Sequence, residues 1–399
     1  MALDQDVFKL KGVVQHYSWG GYDFIPKLLG IDNSTKKPYA EYWMGAHGNH
    51  PGFIKNGEQI ALSEFISKDA ENILGKDVAG KFFSLPYLLK VLDVRQMLSI
   101  QVHPSKKAAE ISFEEENKKG ISLNAPHRNY KDRNHKPELM VALSDFYLLH
   151  GFKREEDLLK VLDAKQELKF LKDVFIQKAY KGLYEEVMLM SQERVNEILN
   201  PLLEEIIPLY QGNALNKDSE DYWAARAALN FCKEDNYDRG IFSIYLFNVL
   251  HLKKGEGIFQ ASGMPHAYLE GQNVEIMANS DNVLRAGLTD KHIDVHELMK
   301  HVKFEATVPK ILNPQSSHKI FFSPAEEFEL QEYSLRKDDS VGIKTRSGEI
   351  FLLVDGSIEI VSKGNLKMKE GDSIFVKAGT DITVKALSQI NLFRATTPA

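Results

Sequence analysis

Apolar positions along the 399-residue chain change their spacing more than once. Up to about residue 150, short apolar runs are broken by Gly, Asn and Pro, as in YSWGGYDF, WMGAHGNHPG and IKNGEQIAL, and the run from Leu85 to Leu92 follows. Such text predicts β-strands with frequent turns. One helix is expected among them, from Ser63 as N-cap toward Leu74. From about 153 to 235 the spacing turns helical. Leu158, Leu159, Leu162, Leu168 and Leu171 recur on one face, and Val187, Met190, Val195, Ile198 and Leu199 on another. A further helix is predicted from Asp221, as N-cap, through Trp223 to Leu229. Three to five helices in about 80 residues predict an inserted module whose Met and aromatic stripes form its core. From about 240 alternation returns at Ile241, Phe242, Ile244, Leu246, Val249 and Leu250. A break falls at Pro309, Pro314 and Ser316–Ser317, and the last 80 residues read as short strands.

Those strands contain a weak repeat. Gly255-Glu256-Gly257-Ile258-Phe259, followed by Gly263, aligns with Gly371-Asp372-Ser373-Ile374-Phe375, followed by Gly379. His266 in the first copy corresponds to Ile382 in the second. The string is similar to the second sequence motif of cupins, which are small double-sheet jelly rolls. The first copy keeps a histidine of the metal-binding type, and the second is expected to be a β domain without chemistry. The predicted fold is therefore mainly β with a helical insertion. A catalytic double-stranded β-helix (cupin, jelly-roll) domain spans 1–150 and 236–315, the helical domain 151–235, and a second jelly-roll-like domain without metal ligands 316–399.

Composition narrows the partners. A formal net charge of −6 and a pI near 6.1 argue against general affinity for nucleic acid or an anionic membrane. Positive contacts to an anionic substrate must then be local. A single cysteine, Cys232, excludes an intrachain disulfide framework and a cysteine-based zinc cage; it is expected to lie inert in a helix core. The opening MALDQDVFKL lacks the pattern of a signal peptide, and no apolar run reaches the roughly 18 residues a membrane span needs. A cytoplasmic protein is the expectation.

Candidate chemistry gathers in three segments. In Ser99-Ile100-Gln101-Val102-His103-Pro104 the alternation puts Ser99, Gln101 and His103 on one strand face. That face suits a metal, but a solvated strand face reads the same way. YKDRNHKPE, ending in His135, Lys136, Pro137 and Glu138, places an imidazole, lysines and a carboxylate beside a proline turn. Gly263-Met264-Pro265-His266 puts a histidine in another. His292, His296 and His301 lie in a charged helical stretch and read as solvated face.

Two of these segments carry a resemblance. YKDRNHKPE is similar to the first signature of type I mannose-6-phosphate isomerases, and HAYLEGQNVEIMANSDNVLRAGLTDK, from His266 to Lys291, is similar to the second. AEYWMG, from Ala40, and Leu89-Lys90-Val91-Leu92 leading into SIQVHP support the match from about residue 10 to 300. Asp290 and Arg133 depart from the family's usual residues, and Lys153 stands where arginine is frequent. The resemblance implies a zinc site of Gln101, His103, Glu138 and His266, which with one carboxylate would keep a residual positive charge. It implies interconversion of mannose 6-phosphate and fructose 6-phosphate by ring opening and a cis-enediol. Lys136 and Lys90 are then the candidate bases, each needing a lowered pKa, and His135 with Asp281 the candidates for ring opening. Arg285 and Lys291, with Ser99, would contact phosphate or substrate, while Glu41, Trp43 and Trp19 would line the pocket. Glu275 has a role that cannot be assigned from its position. A monomer is the family-like expectation.

Two readings from other classes stand beside the isomerase. A metal-dependent cupin oxygenase would prefer a cluster richer in histidine than one beginning with Gln101. A non-catalytic sugar-phosphate binder would have no need to keep both His135 and Lys136 with the full ligand set.

Overall fold

The computed structural model describes residues 5–56, 58–233 and 236–398. Met1–Asp4, Gly57, residues 234–235 and Ala399 lie outside the described residues. Among the described residues, three antiparallel sheets of ten, eight and four strands account for the β structure.

The ten-stranded sheet is organised by one long strand, His266–Ala278. Its first half pairs with Phe146–Phe152 and, at His266, with Gln101 of the short strand Gln101–Val102. Its second half pairs with Tyr87–Val94 on one side and Glu138–Ala142 on the other. The change of neighbour falls at Gly271, whose φ is 126° and where a Cβ would stand 2.6 Å from the Asp145 carbonyl oxygen. Only glycine gives the strand that bend at that clearance. The bend lets one strand deliver residues from three segments to a single interior.

Four helices, Glu155–Ala164, Lys169–Leu189, Gln192–Gln211 and Glu220–Phe231, form the insertion. Their leucine stripes close on Trp223, Leu149 and Phe152, so the module packs on the outer face of the ten-stranded sheet. Buried Lys153 pairs with Glu220 at 2.8 Å across that seam. The expected caps lie elsewhere. The helix near residue 63 is Leu62–Lys68 with Ala61 as its N-cap, and Ser219, not Asp221, accepts from the Tyr222 N–H. Ser219 takes the role because its backbone is still extended, while Asp221 is already in the first turn. Cys232 is half-buried just past the end of that helix, its thiol pushed up to about 11 by burial.

The centre of the eight-stranded sheet is covered on both faces, so Glu349–Asp355 and Ser373–Val376 bury apolar residues on both sides. In Glu349–Asp355, Ile350 and Leu352 pack with Val91, Val274 and Ile276 of the ten-stranded sheet. Phe351 and Leu353 pack the other way, onto Ile358, Ile360 and Val384 of the four-stranded sheet. The strand Val7–Lys11 does not join the first sheet but is inserted between Ser373–Val376 and Phe53–Asn56. The line drawn at residue 316 thus crosses a sheet, because Phe8 and Leu10 find their apolar partners in Phe375 and Phe393.

The repeat is visible in the backbone. Gly255, Gly263, Gly371 and Gly379 have φ of 88°, 81°, 83° and 72°, so all four turns use the left-handed region. Ile382 is buried in the apolar core of the second copy. No helix among the described residues is long and apolar enough to cross a membrane.

Candidate functional site

His103, Glu138 and His266 converge from three strand ends, with one ligand-type atom of each within 4.8 Å of the others. All three are buried. His103 Nδ1 lies 2.9 Å from the Asn282 carbonyl oxygen, and His266 Nδ1 lies 2.9 Å from that of Met264. A carbonyl only accepts, so each Nδ1 carries a proton. The Nε2 atoms face Glu138, at 3.5 Å from Oε1 for His103 and 3.2 Å from Oε2 for His266. Burial lowers the His103 pKa to about 4, so at neutral pH its Nε2 carries no proton and presents a lone pair to the carboxylate. His103 Nε2 has no hydrogen-bond partner. A cation between the three groups resolves the arrangement, and histidine rings oriented by backbone carbonyls are the usual support for such ligands. Gln101 is placed to join them, since it pairs directly with His266 and so faces the same side.

Beside the cluster lies a pocket of ≈ 520 Å³. Gln101, Lys136, Trp19, Ser99, Glu41, Trp43, Lys90, Asp281, Arg285 and Lys291 line it. Lys136 Nζ is 2.9 Å from Glu138 Oε1. Lys90 is buried, 3.3 Å from Glu41 and 3.4 Å from Glu275. Desolvation pulls its pKa down, but the carboxylates of Glu41, Glu275 and Glu138 prevail and hold it above the ordinary value. Lys90 therefore stays an ammonium, contrary to the lowered pKa a base requires. Glu275 is buried behind it and accepts from the Tyr268 hydroxyl at 2.7 Å. Burial, with the nearby Glu138 charge, raises its pKa.

Arg285 and Lys291 have no carboxylate partner among the described residues. Desolvation lowers both pKa values, and the Arg285 charge lowers that of Lys291 further. Two cations left to repel each other at a pocket rim are a receptor for an anion. A larger groove of ≈ 1160 Å³ elsewhere is lined by three lysines and three aspartates, and no imidazole.

The structure does not bring His135 to this pocket. Its ring faces the opposite way, 2.7 Å from Glu327, because consecutive residues of an extended segment point to opposite sides. Asp281 is met instead by His47, at 3.3 Å, a residue the sequence reading passed over. The available signal is that His47 follows two residues after the block AEYWMG, Ala40 to Gly45. Burial raises the Asp281 pKa, but the His47 contact and the cations of Lys136 and Lys90 outweigh it and keep the carboxyl below its ordinary range. His301 also departs from expectation: its ring turns inward to the Tyr130 hydroxyl at 2.7 Å, while His292 and His296 are exposed.

Fold and site together define a β-sheet protein with a buried histidine–carboxylate metal centre opening on an anion-accepting pocket. Residues 7–155 match the family "Phosphomannose isomerase type I, catalytic domain". The mannose-6-phosphate isomerase of Escherichia coli K12 is 36% identical over 361 residues, covering 87% of this chain and 88% of that protein. The human mannose-6-phosphate isomerase is 32% identical, with 88% of each chain covered. A crystal structure of the Salmonella typhimurium mannose 6-phosphate isomerase, bound to fructose 6-phosphate and zinc, superposes with a TM-score of 0.89 at 34% identity, over 99% of this chain and 100% of that one. The chain belongs to the mannose-6-phosphate isomerase family.

Proposed function

We propose that the protein interconverts mannose 6-phosphate and fructose 6-phosphate at a zinc ion held by Gln101, His103, Glu138 and His266. The observation that carries this reading is the pairing of the His103–Glu138–His266 cluster with two unpartnered cations, Arg285 and Lys291, across one pocket. The family's zinc-bound and substrate-bound structures support it.

Zinc at that position supplies a Lewis acid for the sugar's carbonyl and hydroxyl oxygens. Arg285 and Lys291 hold the phosphate dianion, which fixes the sugar's far end and sets C1 and C2 toward the ligand cluster. Asp281, kept ionised and oriented by His47, accepts the anomeric hydroxyl proton as the bond from C1 to the ring oxygen breaks, and that proton passes on to the freed ring oxygen. Lys136 carries the proton between C2 and C1. Lys90, held as an ammonium by Glu41 and Glu275, donates hydrogen bonds to the sugar oxygens that gain charge. Tyr17 and Trp19, stacked at 5.9 Å, line the pocket, and Ser99 is a further polar contact.

The sheets that supply these groups support a double-stranded β-helix of the cupin type over 1–150 and 236–315, with the helical insertion at 151–235 and a metal-free cupin-like unit at 316–399 that also takes up Val7–Lys11. We further assign the protein to the cytoplasm, as a monomer with no nucleic-acid or membrane partner, in keeping with the net charge of −6. The test is a coupled assay for fructose 6-phosphate formation, with chelator and then zinc. Loss and recovery of turnover support both reaction and metal; no turnover in zinc-loaded protein rejects the reading in favour of a sugar-phosphate binder.

A further inference from the structure

The segment that carries Lys136 is anchored from two directions. On one side the Asn134 side-chain amide donates to the Asn279 carbonyl, and the Asn134 carbonyl accepts from Ser280 and Asn282. On the other side Glu138 enters its strand. Between these anchors His135 is tied to a distant part of the chain. Its Nε2 lies 2.7 Å from Oε1 of Glu327, 192 residues later, just ahead of the strand Glu329–Leu335 of the eight-stranded sheet. His135 and Lys136 line different cavities, of ≈ 670 Å³ and ≈ 520 Å³, on opposite sides of the backbone. The two side chains share one stretch of backbone, so what fixes the His135 ring also fixes the backbone from which the Lys136 side chain departs.

Glu327 is poorly explained as a stabilising residue. It is buried, and its second carboxylate oxygen has no hydrogen-bond partner. It lines a cavity with His135 and Lys106, and a buried ionised group left half-satisfied there costs free energy that a leucine of similar size would not. Its neighbours Ala325 and Phe328 are both core residues, so an apolar side chain would fit the local pattern. What the carboxylate provides is direction: a single short bond that fixes the imidazole.

We propose that Glu327 is a positioning residue, by which the eight-stranded sheet holds His135 and thereby aims Lys136 at the pocket. The metal-free unit at 316–399 then takes part in the reaction through one side chain. This rests on the assignment of Lys136 given above, and the test separates the two.

Kinetics, zinc content and thermal midpoints are to be measured for the wild type, Glu327→Leu, Glu327→Asp, His135→Ala and the double variant Glu327→Leu/His135→Ala. Glu326→Gln, changed at an exposed neighbour paired with Lys81, serves as the control. The expected result for Glu327→Leu is a kcat about tenfold lower, with KM, zinc content and Tm held, since small displacements of reacting groups cost that much or more. Glu327→Asp should recover part of the loss, and Glu327→Leu should cost nothing further once His135 is alanine. If Glu327→Leu does not fold, Glu327→Gln carries the same comparison. The proposal is overturned by an unchanged kcat, by a loss that only follows the fall in Tm, or by an equal loss in the His135→Ala background. A wild type that does not convert mannose 6-phosphate rejects the function itself, whereas an active wild type with an indifferent Glu327→Leu rejects only the positioning role.

Discussion

Arg285→Ala tests the anion receptor most directly. In the free protein the guanidinium is half-buried on the short strand Leu284–Arg285, paired with Gln101, and faces Lys291 without a carboxylate to offset either charge. A substrate phosphate both satisfies the guanidinium and removes that repulsion. A hydrogen bond to a charged group contributes about 1.5–3 kcal/mol, and each 1.4 kcal/mol is about tenfold in rate or affinity. The substitution should therefore lower kcat/KM for mannose 6-phosphate by roughly ten- to a hundredfold. Arg285→Lys should recover only part, because an ammonium cannot form the two parallel bonds of the fork. Since no ion pair is lost, the Tm of the variant should hold or rise slightly. Inorganic phosphate, which should raise the Tm of the wild type by binding only the folded form, should protect Arg285→Ala much less. An unchanged kcat/KM, or a fall in Tm with phosphate protection intact, would refute the reasoning.

Removing the metal should abolish turnover and lower the Tm, because the buried His103 Nε2 is left without a partner facing the Glu138 carboxylate; zinc should restore both, and substantial turnover in metal-free protein would exclude the zinc mechanism. His47→Ala should reduce kcat more than it weakens phosphate protection, since Asp281 loses its orienting partner while Arg285 and Lys291 are untouched; equal losses in both readouts would contradict that role. Glu297 is held at about 2 by the His301 bond first, then by Lys300 and Tyr130, against the opposing effect of burial. A folded pKa below the unfolded one gives stability that is present above the unfolded value, about 4.3, and lost as pH falls toward the folded one. The Tm difference between wild type and Glu297→Gln should thus be full at neutral pH and shrink between about pH 4.3 and about 2; a difference independent of pH would show that the carboxylate is not the source.

What could be read from the sequence follows from where its patterns are local. The i, i+2 spacing of Gln101 and His103 states a strand face directly, and the helical stripes from Leu158 onward needed only one another to be recognised. The four left-handed glycines at 255, 263, 371 and 379 announced two copies of one turn. The missing parts are all relations between distant segments. His135 and Asp281 look like partners on paper, but an extended backbone sends His135 to Glu327 and leaves Asp281 to His47. The state of Lys90 depends on Glu41 and Glu275, which reach it from neighbouring strands and reverse the effect of burial. No window of sequence around residue 7 shows that its strand will be completed by residues 373–376.

That last pairing sets the order in which the chain can be finished. The Ser373 hydroxyl donates to the Leu10 carbonyl from 363 residues away. At ribosomal rates of about 5–20 residues per second, the Val7–Lys11 segment waits roughly 20–70 seconds for its partner to be made. Through that interval the strand can pair only with Phe53–Asn56, although Phe8 can already pack on Phe65, and its other edge stays open. The nascent protein thus carries an adhesive β-edge until residues 373–376 have been made. Yield in cells should accordingly depend on how well that edge is shielded during translation, independently of how stable the finished enzyme is.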